Sequence, residues 1–321
     1  MGFRAPASIA SDMLAVEQHI LRATVSREPV LAEAASGLVA SGGKRLRPAF
    51  VLMGGQFGGT REPALAQIAA GVELLHMATL VHDDIIDDAP LRRGAPTVQA
   101  RYGKDVAVFT GDFLLTKALL LMAEADVDQR LKDLARAMTA VCEGEVAQYA
   151  DRFKVPGMLR YLRRIRGKTA ALFSLSLYAG ARQCKAPDST CKCLARYGLF
   201  FGMAFQIEDD VLDYMSGENQ LGKPAGYDLV SGIYTLPLLY ALQDSTAHAV
   251  LEQLLSAGGE TPVARIVEAV RGTDALPRAR NMRDRYVNKA IAALDVLPQS
   301  PAREALRDLP WQIFADPAPA R

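Results

Sequence analysis

The side chains in this sequence best suited to chemistry are aspartates gathered in two clusters. They are Asp83, Asp84, Asp87 and Asp88 in the segment HDDIIDD, and Asp209, Asp210 and Asp213 in the segment EDDVLD. Each cluster ends an apolar run with helical period, so aspartates four residues apart share one helix face near its C-terminus. A helix C-terminus already carries partial negative charge, so both clusters are electrostatically unfavourable as they stand.

Bound cations would compensate for this charge. If the two clusters faced each other, carboxylates about 4 Å apart would repel by roughly 4 kcal/mol per pair at an effective dielectric of about 20. Oxygen ligands of this kind suit Mg²⁺, which is commonly held jointly by carboxylates and substrate phosphates. Either cluster alone is equally well explained as a solvated acidic helix end, but two matched clusters favour a magnesium and polyphosphate site.

Histidine and cysteine offer a weaker basis for a metal site. His82 beside Asp83 could form the His-Asp pair of a metal phosphohydrolase, but the chain has only three other histidines and such a site needs several. The pattern C-x6-C-x-C at Cys184, Cys191 and Cys193 matches no common zinc spacing. We therefore expect these cysteines to be loop thiols.

Basic residues that could bind phosphate oxygens lie in four short segments. They are Lys44, Arg45 and Arg47 in GGKRLRP, Arg92 and Arg93 in LRRG, Lys168 with Thr169 in GKTA, and Lys223 in LGKPAG. Each alone is more often a solvated charge, and Gly-Lys-Thr without an earlier glycine is not a P-loop. Together with the aspartates they predict a phosphate-bearing substrate.

Segments with helical period must position these residues. They span 10–38, 63–88, 106–125, 128–150, 158–181, 190–216, 234–256 and 262–294. Glycine and proline clusters separate them. No alternating strand pattern competes, and only the proline-rich end from about residue 310 is expected to fray. The sequence predicts an all-α fold with one domain over residues 1–321.

Composition narrows the class of protein further. With 321 residues and 50% hydrophobic side chains, the chain can bury a sizeable core. Its 37 Lys plus Arg balance 36 Asp plus Glu, so charge does not favour nucleic acid as a partner. Four cysteines and the absence of a signal peptide predict a soluble protein in the cytoplasm. Polar residues break every apolar run well short of the roughly 18 residues of a transmembrane helix.

In order, these motifs resemble those of the trans-isoprenyl diphosphate synthases. The matching segments are GGKRLRP, HDDIIDD followed by LRRG, GDFLL, GKTA, FQIEDDVLD, GKPAGYDL and TLPLLYAL, which cover residues 42 to 242. The resemblance implies a bundle of about ten or more helices around a central cavity, with the two aspartate clusters facing each other across its mouth.

The resemblance also implies roles for residues. Two or three Mg²⁺ ions bridging an allylic diphosphate would be coordinated by Asp83, Asp87 and Asp209, with Asp84, Asp210 and Asp213 as direct or water-mediated supports. The allylic diphosphate would also be held by Arg92, Lys168, Thr169, Gln206 and Lys223. Isopentenyl diphosphate would be held by Lys44, Arg47, His76 and Arg93.

The implied reaction is head-to-tail condensation of isopentenyl diphosphate with the allylic diphosphate. Mg²⁺ and the basic side chains would stabilise charge on the departing pyrophosphate, so that the allylic carbon ionises and the double bond attacks it. Loss of a proton to the pyrophosphate would complete the chain, and exclusion of water would protect the carbocation. The catalytic residues would be Asp83, Asp84, Asp87, Arg92, Lys168, Asp209 and Asp210.

The sequence departs from the usual family pattern at two places. Ile233 stands where many relatives carry lysine, so one diphosphate contact is in doubt. The tail lacks the basic residue often found near Asp316, and Arg321 is its remote substitute. Neither difference affects the proposed metal ligands.

Product length should depend on the residues one turn and more before Asp83. Short-chain relatives often place an aromatic ring there, whereas this chain has Ala78 and Thr79, with Leu75 deeper. The segment MATLVHDD resembles medium- and long-chain members, notably the catalytic component of heptaprenyl diphosphate synthase. We expect a C30 to C40 product, heptaprenyl favoured, from farnesyl or geranylgeranyl diphosphate. Ala78 could instead be small for helix packing, with the floor of the pocket around Leu74, Leu75 or the 113–122 helix.

Other activities remain as alternatives. They are a shorter-chain geranylgeranyl diphosphate synthase, a class I terpene cyclase, and a non-catalytic partner subunit that binds prenyl diphosphate. The second aspartate cluster and the isopentenyl-type grip at Lys44 and Arg47 disfavour a cyclase. Family resemblance implies a homodimer or a heterodimer with a small regulatory subunit, and a product delivered to membrane enzymes.

Overall fold

The all-α prediction is confirmed. The computed structural model describes residues 5–60, 62–92, 94–125, 128–215, 225–256 and 262–314, with only the backbone at 128–131. After a 3-10 turn, Ala7–Ile9, the first helices are α1 (Ala10–Ala23), α2 (Pro29–Ala40), α3 (Leu46–Gly55), α4 (Leu65–Ile86), α5 (Val98–Tyr102), α6 (Lys104–Glu124), α7 (Asp128–Ala150) and α8 (Met158–Ile165). A π-helical turn, Arg166–Ala170, then leads into α9 (Ala171–Gln183).

The remaining helices complete the chain. They are α10 (Asp188–Met215), α11 (Tyr227–Val230), α12 (Leu236–Ala241), α13 (His248–Ser256), α14 (Val263–Arg271), α15 (Ala275–Ala293) and α16 (Pro301–Phe314). Two short antiparallel strands, β1 (Leu91–Arg92) and β2 (Ala95–Pro96), form a hairpin between α4 and α5.

Several predicted helices are divided in the structure. The segment 10–38 contains two helices because Pro29 begins α2, where its fixed φ and missing N–H are tolerated. The segment 234–256 is interrupted after α12, where the Asp244 carboxylate accepts hydrogen bonds from the backbone amides of Thr246 and Ala247. The period of apolar residues continues across such breaks, so periodicity alone misses them.

The sequence reading also missed several elements. It treated the glycines and Pro48 around α3 as breaks, but Pro48 lies in the first turn of this buried helix, where proline is tolerated. It expected fraying from about residue 310, whereas Pro310 lies inside α16, which continues to Phe314. It assigned no strands, and the hairpin of β1 and β2 follows the first aspartate cluster.

Two helices in the part of the chain that the structure describes have the length and apolar composition of a membrane span, although polar residues interrupt both. They are α4 and α6. Most of α4 is buried against α1, α3 and α6, as expected for a core helix. The outward face of α6 instead exposes Val108, Phe109 and Leu120.

The chain divides into two compact units. The first contains residues up to Arg136, Leu172–Gly198 and those from Ala293 onward, and the second contains Ala137–Ala171 and Leu199–Ala292. The first aspartate cluster belongs to the first unit and the second cluster to the second. The prediction of one domain over the whole chain stays a prediction.

The core of the first unit forms around α3 and α4. The ring of Phe50 packs 5.3 Å from that of Phe173, measured between centroids, and both rings are fully buried. Gly54 permits this contact, because a Cβ atom there would lie 2.4 Å from the carbonyl oxygen of Leu177. This close packing joins α3 to α9, and α3 also packs against α4, whose C-terminal end carries the first aspartates.

The second unit has two groups of buried residues. One surrounds α10 near Ile207 and Val211 and includes Tyr161 and Leu236. The other surrounds Tyr214, the penultimate residue of α10, and includes residues of α12, α13 and α14. The C-terminal half of α10 is therefore held on its apolar side along its length, and its remaining side carries the second aspartates.

Candidate active site

The first aspartate cluster lies at the C-terminal end of α4. The amide of Asp87 donates a hydrogen bond to the carbonyl oxygen of Asp83 at 2.8 Å, so Asp87 follows Asp83 by one helical turn. Both side chains are half-buried, Asp84 is buried and Asp88 is exposed. Asp88 adopts a left-handed conformation with φ of 48°, which ends the helix.

A local cation balances the buried aspartate of this cluster. Nε of Arg92, on β1, lies 2.8 Å from Oδ1 of Asp84 and 3.0 Å from Oδ2. The Gln99 side chain donates to the carbonyl oxygens of Asp84 and Ala89, which fixes the loop that brings Arg92 back to the helix. Arg92, predicted to hold diphosphate, is thus placed directly beside the first cluster.

The His82 side chain packs against α6, where it contacts Gly111 and Asp112. A Cβ atom at Gly111 would lie 2.3 Å from its Nε2, so Gly111 makes room for the ring. The same Nε2 lies 3.4 Å from Oδ1 of Asp112. In the described part of the chain, no three His, Cys, Asp or Glu side chains form a ready-made metal site.

Arg45 has a structural role that its sequence context did not reveal. Its Nε lies 2.8 Å from Glu17 Oε1 and its Nη1 lies 3.0 Å from Glu73 Oε1. The residue adopts the left-handed conformation, with φ of 47°. Its two ion pairs therefore join α1 to α4, and the expectation that Arg45 binds phosphate stays a prediction.

The residues predicted to hold isopentenyl diphosphate are Lys44, Arg47, His76 and Arg93. Lys44 is exposed, whereas Arg47 is half-buried with its guanidinium 4.7 Å above the centre of the Phe173 ring. His76 is half-buried on α4, one turn after Glu73. Arg93 lies outside the described residues, as does Lys223 of the allylic set.

The second aspartate cluster is embedded in a chain of hydrogen bonds within the second unit. Thr169 Oγ1 donates to Gln206 Oε1 at 2.6 Å, and Gln206 Nε2 donates to Asp210 Oδ1 at 2.9 Å. The hydroxyl of the fully buried Tyr161 donates to Asp210 Oδ2 at 2.6 Å. This chain of contacts brings together Thr169, Gln206 and Asp210, which the sequence had placed in one site.

The charge of Asp210 is poorly compensated despite these partners. Burial raises the pKa of Asp210 to about 7, although hydrogen bonds from Tyr161 and Gln206 and the nearby Arg164 oppose the shift. Arg164 is itself buried and donates through Nη2 to the carbonyl oxygen of Tyr234 at 3.0 Å. The neutral donors therefore do not offset the cost of burying this carboxylate.

A fourth carboxylate, Asp228, adds to the negative charge near the end of α10. Burial, together with the charges of Asp213, Asp210 and Asp209, raises its pKa well above the ordinary range. Asp213 also accepts hydrogen bonds from the backbone amides of Tyr227 and Asp228, at 3.1 and 3.3 Å. Asp213 thus fixes the 227–228 segment, while Asp209 is exposed.

Lys168 supplies positive charge in this unit. Its Nζ lies 2.8 Å from Oε2 of Glu145 on α7, and its charge opposes the rise in the pKa of Asp228. Ile233, at the position where many relatives have lysine, is buried, and its amide donates to the carbonyl oxygen of Asp228 at 2.8 Å. Ile233 therefore cannot supply the positive charge that a lysine would bring to a diphosphate.

These residues fit a divalent cation. All the candidate ligands are carboxylate oxygens, and burial together with the charges of neighbouring carboxylates raises the pKa of Asp228, a cost that a cation bound beside it would reduce. Because no complete ligand set is preformed among the described residues, water and phosphate oxygens would have to complete the coordination, as Mg²⁺ commonly requires.

The residues predicted to control product length lie on one face of α4. Leu75 and Ala78 are buried and Thr79 is half-buried. Towards the N-terminus, Ile68 and Val72 continue this face and line a narrow apolar cavity in the first unit. Its other walls include Met122 of α6, Leu134 of α7, and Leu175 and Tyr178 of α9.

The sequence reading missed several residues that shape the site. Tyr161, Arg164 and Glu145 lie on helices with no distinctive motif around them, so no sequence signal singled them out. Asp228 lies within the motif GKPAGYDL, but no role was predicted for it. The loop prediction was wrong for Cys191 and Cys193, which belong to α10, whereas Cys184 lies in the turn after α9.

Comparison with known proteins identifies the family of this chain. The family model described as polyprenyl synthetase matches residues 28–271. The chain belongs to the polyprenyl synthetase family. It is 45% identical to heptaprenyl diphosphate synthase component 2 of Geobacillus stearothermophilus over 94% of each chain.

Solved structures of polyprenyl synthetases are similar over nearly their whole length. Heptaprenyl diphosphate synthase from Staphylococcus aureus is 34% identical, with a TM-score of 0.91 over 95% of this chain and 97% of that one. The polyprenyl synthase from Caulobacter crescentus complexed with calcium and isoprenyl diphosphate is 35% identical, with a TM-score of 0.89 over 94% of each chain.

Family membership confirms the prediction of a trans-prenyltransferase that makes polyprenyl diphosphates. The family description and the relatives' names do not favour a terpene cyclase or a non-catalytic binding subunit. The roles of individual site residues, the metal and the partner subunit remain predictions.

Proposed function

We propose that this prenyltransferase condenses isopentenyl diphosphate with farnesyl or geranylgeranyl diphosphate to give an all-trans product of C30 to C40, with heptaprenyl diphosphate favoured. The observation that carries the proposal is the excess of carboxylates at the end of α10 beside Lys168. Such a site needs a cation and suits a diphosphate bound to it. The name of the 45% identical relative supports the heptaprenyl product.

Asp83, Asp87 and Asp209 would hold the Mg²⁺ ions in this proposal. All three are at least partly accessible to solvent, whereas Asp84 and Asp210 are buried. Asp84, Asp210 and Asp213 would support them by fixing Arg92, Gln206 and the 227–228 segment. The Caulobacter relative with calcium and isoprenyl diphosphate supports a divalent cation with a diphosphate at such a site.

Bound Mg²⁺ would supply positive charge where the pyrophosphate departs. Arg92, Lys168 and Thr169 would orient the allylic diphosphate by charge-assisted and neutral hydrogen bonds, with Gln206 and Lys223 completing the set. Lys44, Arg47, His76 and Arg93 would hold isopentenyl diphosphate. Arg47 rests on the Phe173 ring and is therefore preoriented.

The apolar cavity beyond Ala78 would receive the growing chain in this proposal. One face of α4 presents, in succession, Ala78, Leu75, Val72 and Ile68. None of these side chains has an aromatic ring that would block further growth of the prenyl chain. Met122, which lines this cavity, would form part of its floor. Its side chain lies close to the α4 backbone, since a Cβ atom at Gly71 would lie 3.0 Å from Met122 Cγ.

A second subunit is part of the proposal. The words "component 2" in the relative's name suggest a protein that works with another component, so this chain would be the catalytic one. The apolar face of α6 would be suited to pairing with a second copy of the chain, since it exposes Val108, Phe109, Leu119 and Leu120. We also propose that the enzyme acts in the cytoplasm.

The proposal is tested by incubating the purified protein with Mg²⁺, farnesyl diphosphate and labelled isopentenyl diphosphate, then resolving products by length. The expected product lies between C30 and C40 and disappears when EDTA removes the metal. Absence of extension, both alone and with a candidate small subunit, would sink the proposal. A C20 product would favour the geranylgeranyl alternative.

Two substitutions test the path of the growing chain. Ala78→Phe should shorten the main product because a ring would fill the space one turn and more before Asp83. Met122→Ala should lengthen it by removing part of the floor. Leu14→Ala, at an exposed position of α1 outside the proposed cavity and pairing face, is the control and should leave product length unchanged. An unchanged product in both test variants would place the floor elsewhere.

A further inference from the structure

The π-helical turn Arg166–Ala170 places Lys168 and Thr169 side by side. The amide of Ala171 donates to the carbonyl oxygen of Arg166, five residues earlier, which widens the helix by one residue. Such single π turns are rare overall, but those that do occur are often found at functional sites. Here the extra residue turns Lys168 towards α7 while Thr169 reaches α10.

Two glycines let the backbone of α7 touch this turn. A Cβ atom at Gly144 would lie 2.6 Å from the amide nitrogen of Lys168 and 3.2 Å from the carbonyl oxygen of Arg164. On the other side, a Cβ atom at Gly167 would lie 2.5 Å from the carbonyl oxygen of Ala140. All these neighbours are backbone atoms, which move only if the helix or the turn moves. The separation of α7 from the π turn is therefore set by the absence of side chains at both positions.

Glu145, the neighbour of Gly144, holds the end of the Lys168 side chain. The Glu145 carboxylate and the Lys168 ammonium are 2.8 Å apart, and their side chains are 20% and 24% exposed. The pairing is thus largely shielded from water and restricts the lysine to one direction. Because Gly144 and Glu145 are adjacent, one short stretch of α7 controls both the position of the turn and the aim of the ammonium group.

On its other side the turn is joined to the second aspartate cluster. Thr169 Oγ1 is 2.6 Å from Gln206 Oε1, and the Gln206 amide nitrogen is 2.9 Å from Asp210 Oδ1. A shift of the turn away from α7 would therefore move Lys168 and disturb the contacts of Gln206 together.

We propose that Gly144, Gly167 and Glu145 are positioning residues that set the grip of Lys168 and Thr169 on the allylic diphosphate. This inference rests on the proposed function, in which Lys168 and Thr169 hold that diphosphate. The glycines set the distance between α7 and the π turn, and Glu145 holds the Lys168 ammonium group in place until phosphate oxygens bind it. The two glycines and Glu145 do not touch the reacting atoms.

The experiment compares Gly144→Ala and Glu145→Gln with wild type in steady-state kinetics, varying each substrate separately. We expect each variant to raise KM for the allylic diphosphate by about 10-fold, the size of one misplaced charged hydrogen bond, while KM for isopentenyl diphosphate changes less than about 2-fold. Gly157→Ala is the matched control, because nothing lies within 4 Å of a Cβ atom there. It should leave both constants unchanged.

Lys168→Ala separates this inference from the proposed function. It should raise KM for the allylic diphosphate by about 10- to 100-fold, and Gly144→Ala added to it should have little further effect, because both act through one side chain. If Lys168→Ala leaves KM unchanged, the proposed role of Lys168 fails and the inference fails with it.

If Lys168→Ala has its effect and Gly144→Ala and Glu145→Gln have none, only the inference is overturned. An equal rise in KM for both substrates would likewise overturn it, since that is the signature of general distortion. Circular dichroism and thermal unfolding check each variant. Should Gly144→Ala fail to fold, Glu145→Gln decides the question, because it preserves shape and removes only the charge of the ion pair.

Discussion

The two aspartate clusters have nearly the same sequence but differ in how the protein balances their charge. In the first, the buried Asp84 meets the guanidinium of Arg92 at 2.8 Å, and the exposed Asp88 meets Lys104 at 2.9 Å. In the second, the buried Asp210 receives hydrogen bonds from two neutral groups, Tyr161 and Gln206. A repeated motif therefore does not imply a repeated electrostatic environment.

The difference has a functional meaning for an enzyme of this kind. A cluster with its own cation is organised before any ligand arrives. A cluster with unbalanced charge gains more when a cation binds, because repulsion among Asp209, Asp210, Asp213 and Asp228 is then relieved. We expect the second cluster to depend more strongly on metal for its stability.

The largest predicted effect concerns the aspartates proposed as metal ligands. Asp83→Ala and Asp209→Ala should each lower kcat/KM by about 1000-fold or more, since the charge developing on pyrophosphate would lose part of its stabilisation. Circular dichroism should show both variants folded. Asp88→Ala is the matched control, exposed and outside the proposed set, and should stay within about 3-fold of wild type. Full activity in either test variant would remove that cluster from the metal site.

The second prediction uses the raised pKa of Asp210. Its value of about 7 in the folded protein exceeds the roughly 3.9 of an unfolded chain, so the folded state binds more protons between these values. The free energy of unfolding should therefore fall as pH rises from about 4 to about 7, by up to roughly 4 kcal/mol from this group. Urea unfolding without divalent cations, at several pH values, measures the slope.

Two variants test whether Asp210 causes this pH dependence of the free energy of unfolding. Asp210→Asn should flatten the fall in the free energy of unfolding, whereas Asp88→Asn, in the first cluster, should keep the wild-type slope. Equal slopes for wild type and Asp210→Asn would contradict the view that the second cluster carries unbalanced charge.

The third prediction removes the cation of the first cluster. Arg92→Met should lower the free energy of unfolding by about 1–2 kcal/mol, a value reduced from that of a fully buried pair because Arg92 is 29% exposed. Adding Asp84→Asn should restore part of the loss. Arg101→Met, which breaks an exposed pair with Glu33, is the control and should change stability by less than about 0.5 kcal/mol.

The smallest predicted effect removes one neutral donor from the second cluster. Tyr161→Phe leaves Asp210 Oδ2 without its hydrogen bond from the hydroxyl and should cost about 1 kcal/mol of unfolding free energy. Tyr149→Phe, at an exposed position of α7, is the control. The cost should be larger at pH 8 than at pH 5, because the hydroxyl stabilises the ionised carboxylate. A cost independent of pH would show that the bond supports packing only.

The sequence was informative where a property depends on neighbours along the chain. Apolar period identified α4, α6 and α10, and the four-residue spacing placed Asp83 with Asp87 and Asp209 with Asp213 on shared faces. It was less reliable at breaks. Glycine and proline suggested an interruption at α3, where tight packing against Leu177 requires Gly54 inside a helix.

The amino-acid sequence by itself determined the helical class, the two acidic helix ends and the order of basic motifs, because these follow from residue type and spacing. Only the tertiary structure decided which cation serves which carboxylate. Arg45 and Arg92 look alike in sequence, yet Arg45 is occupied by Glu17 and Glu73, while Arg92 lies beside Asp84. Burial and partners distant in the chain set these electrostatics, as they set the pKa of Asp210, and local sequence contains neither.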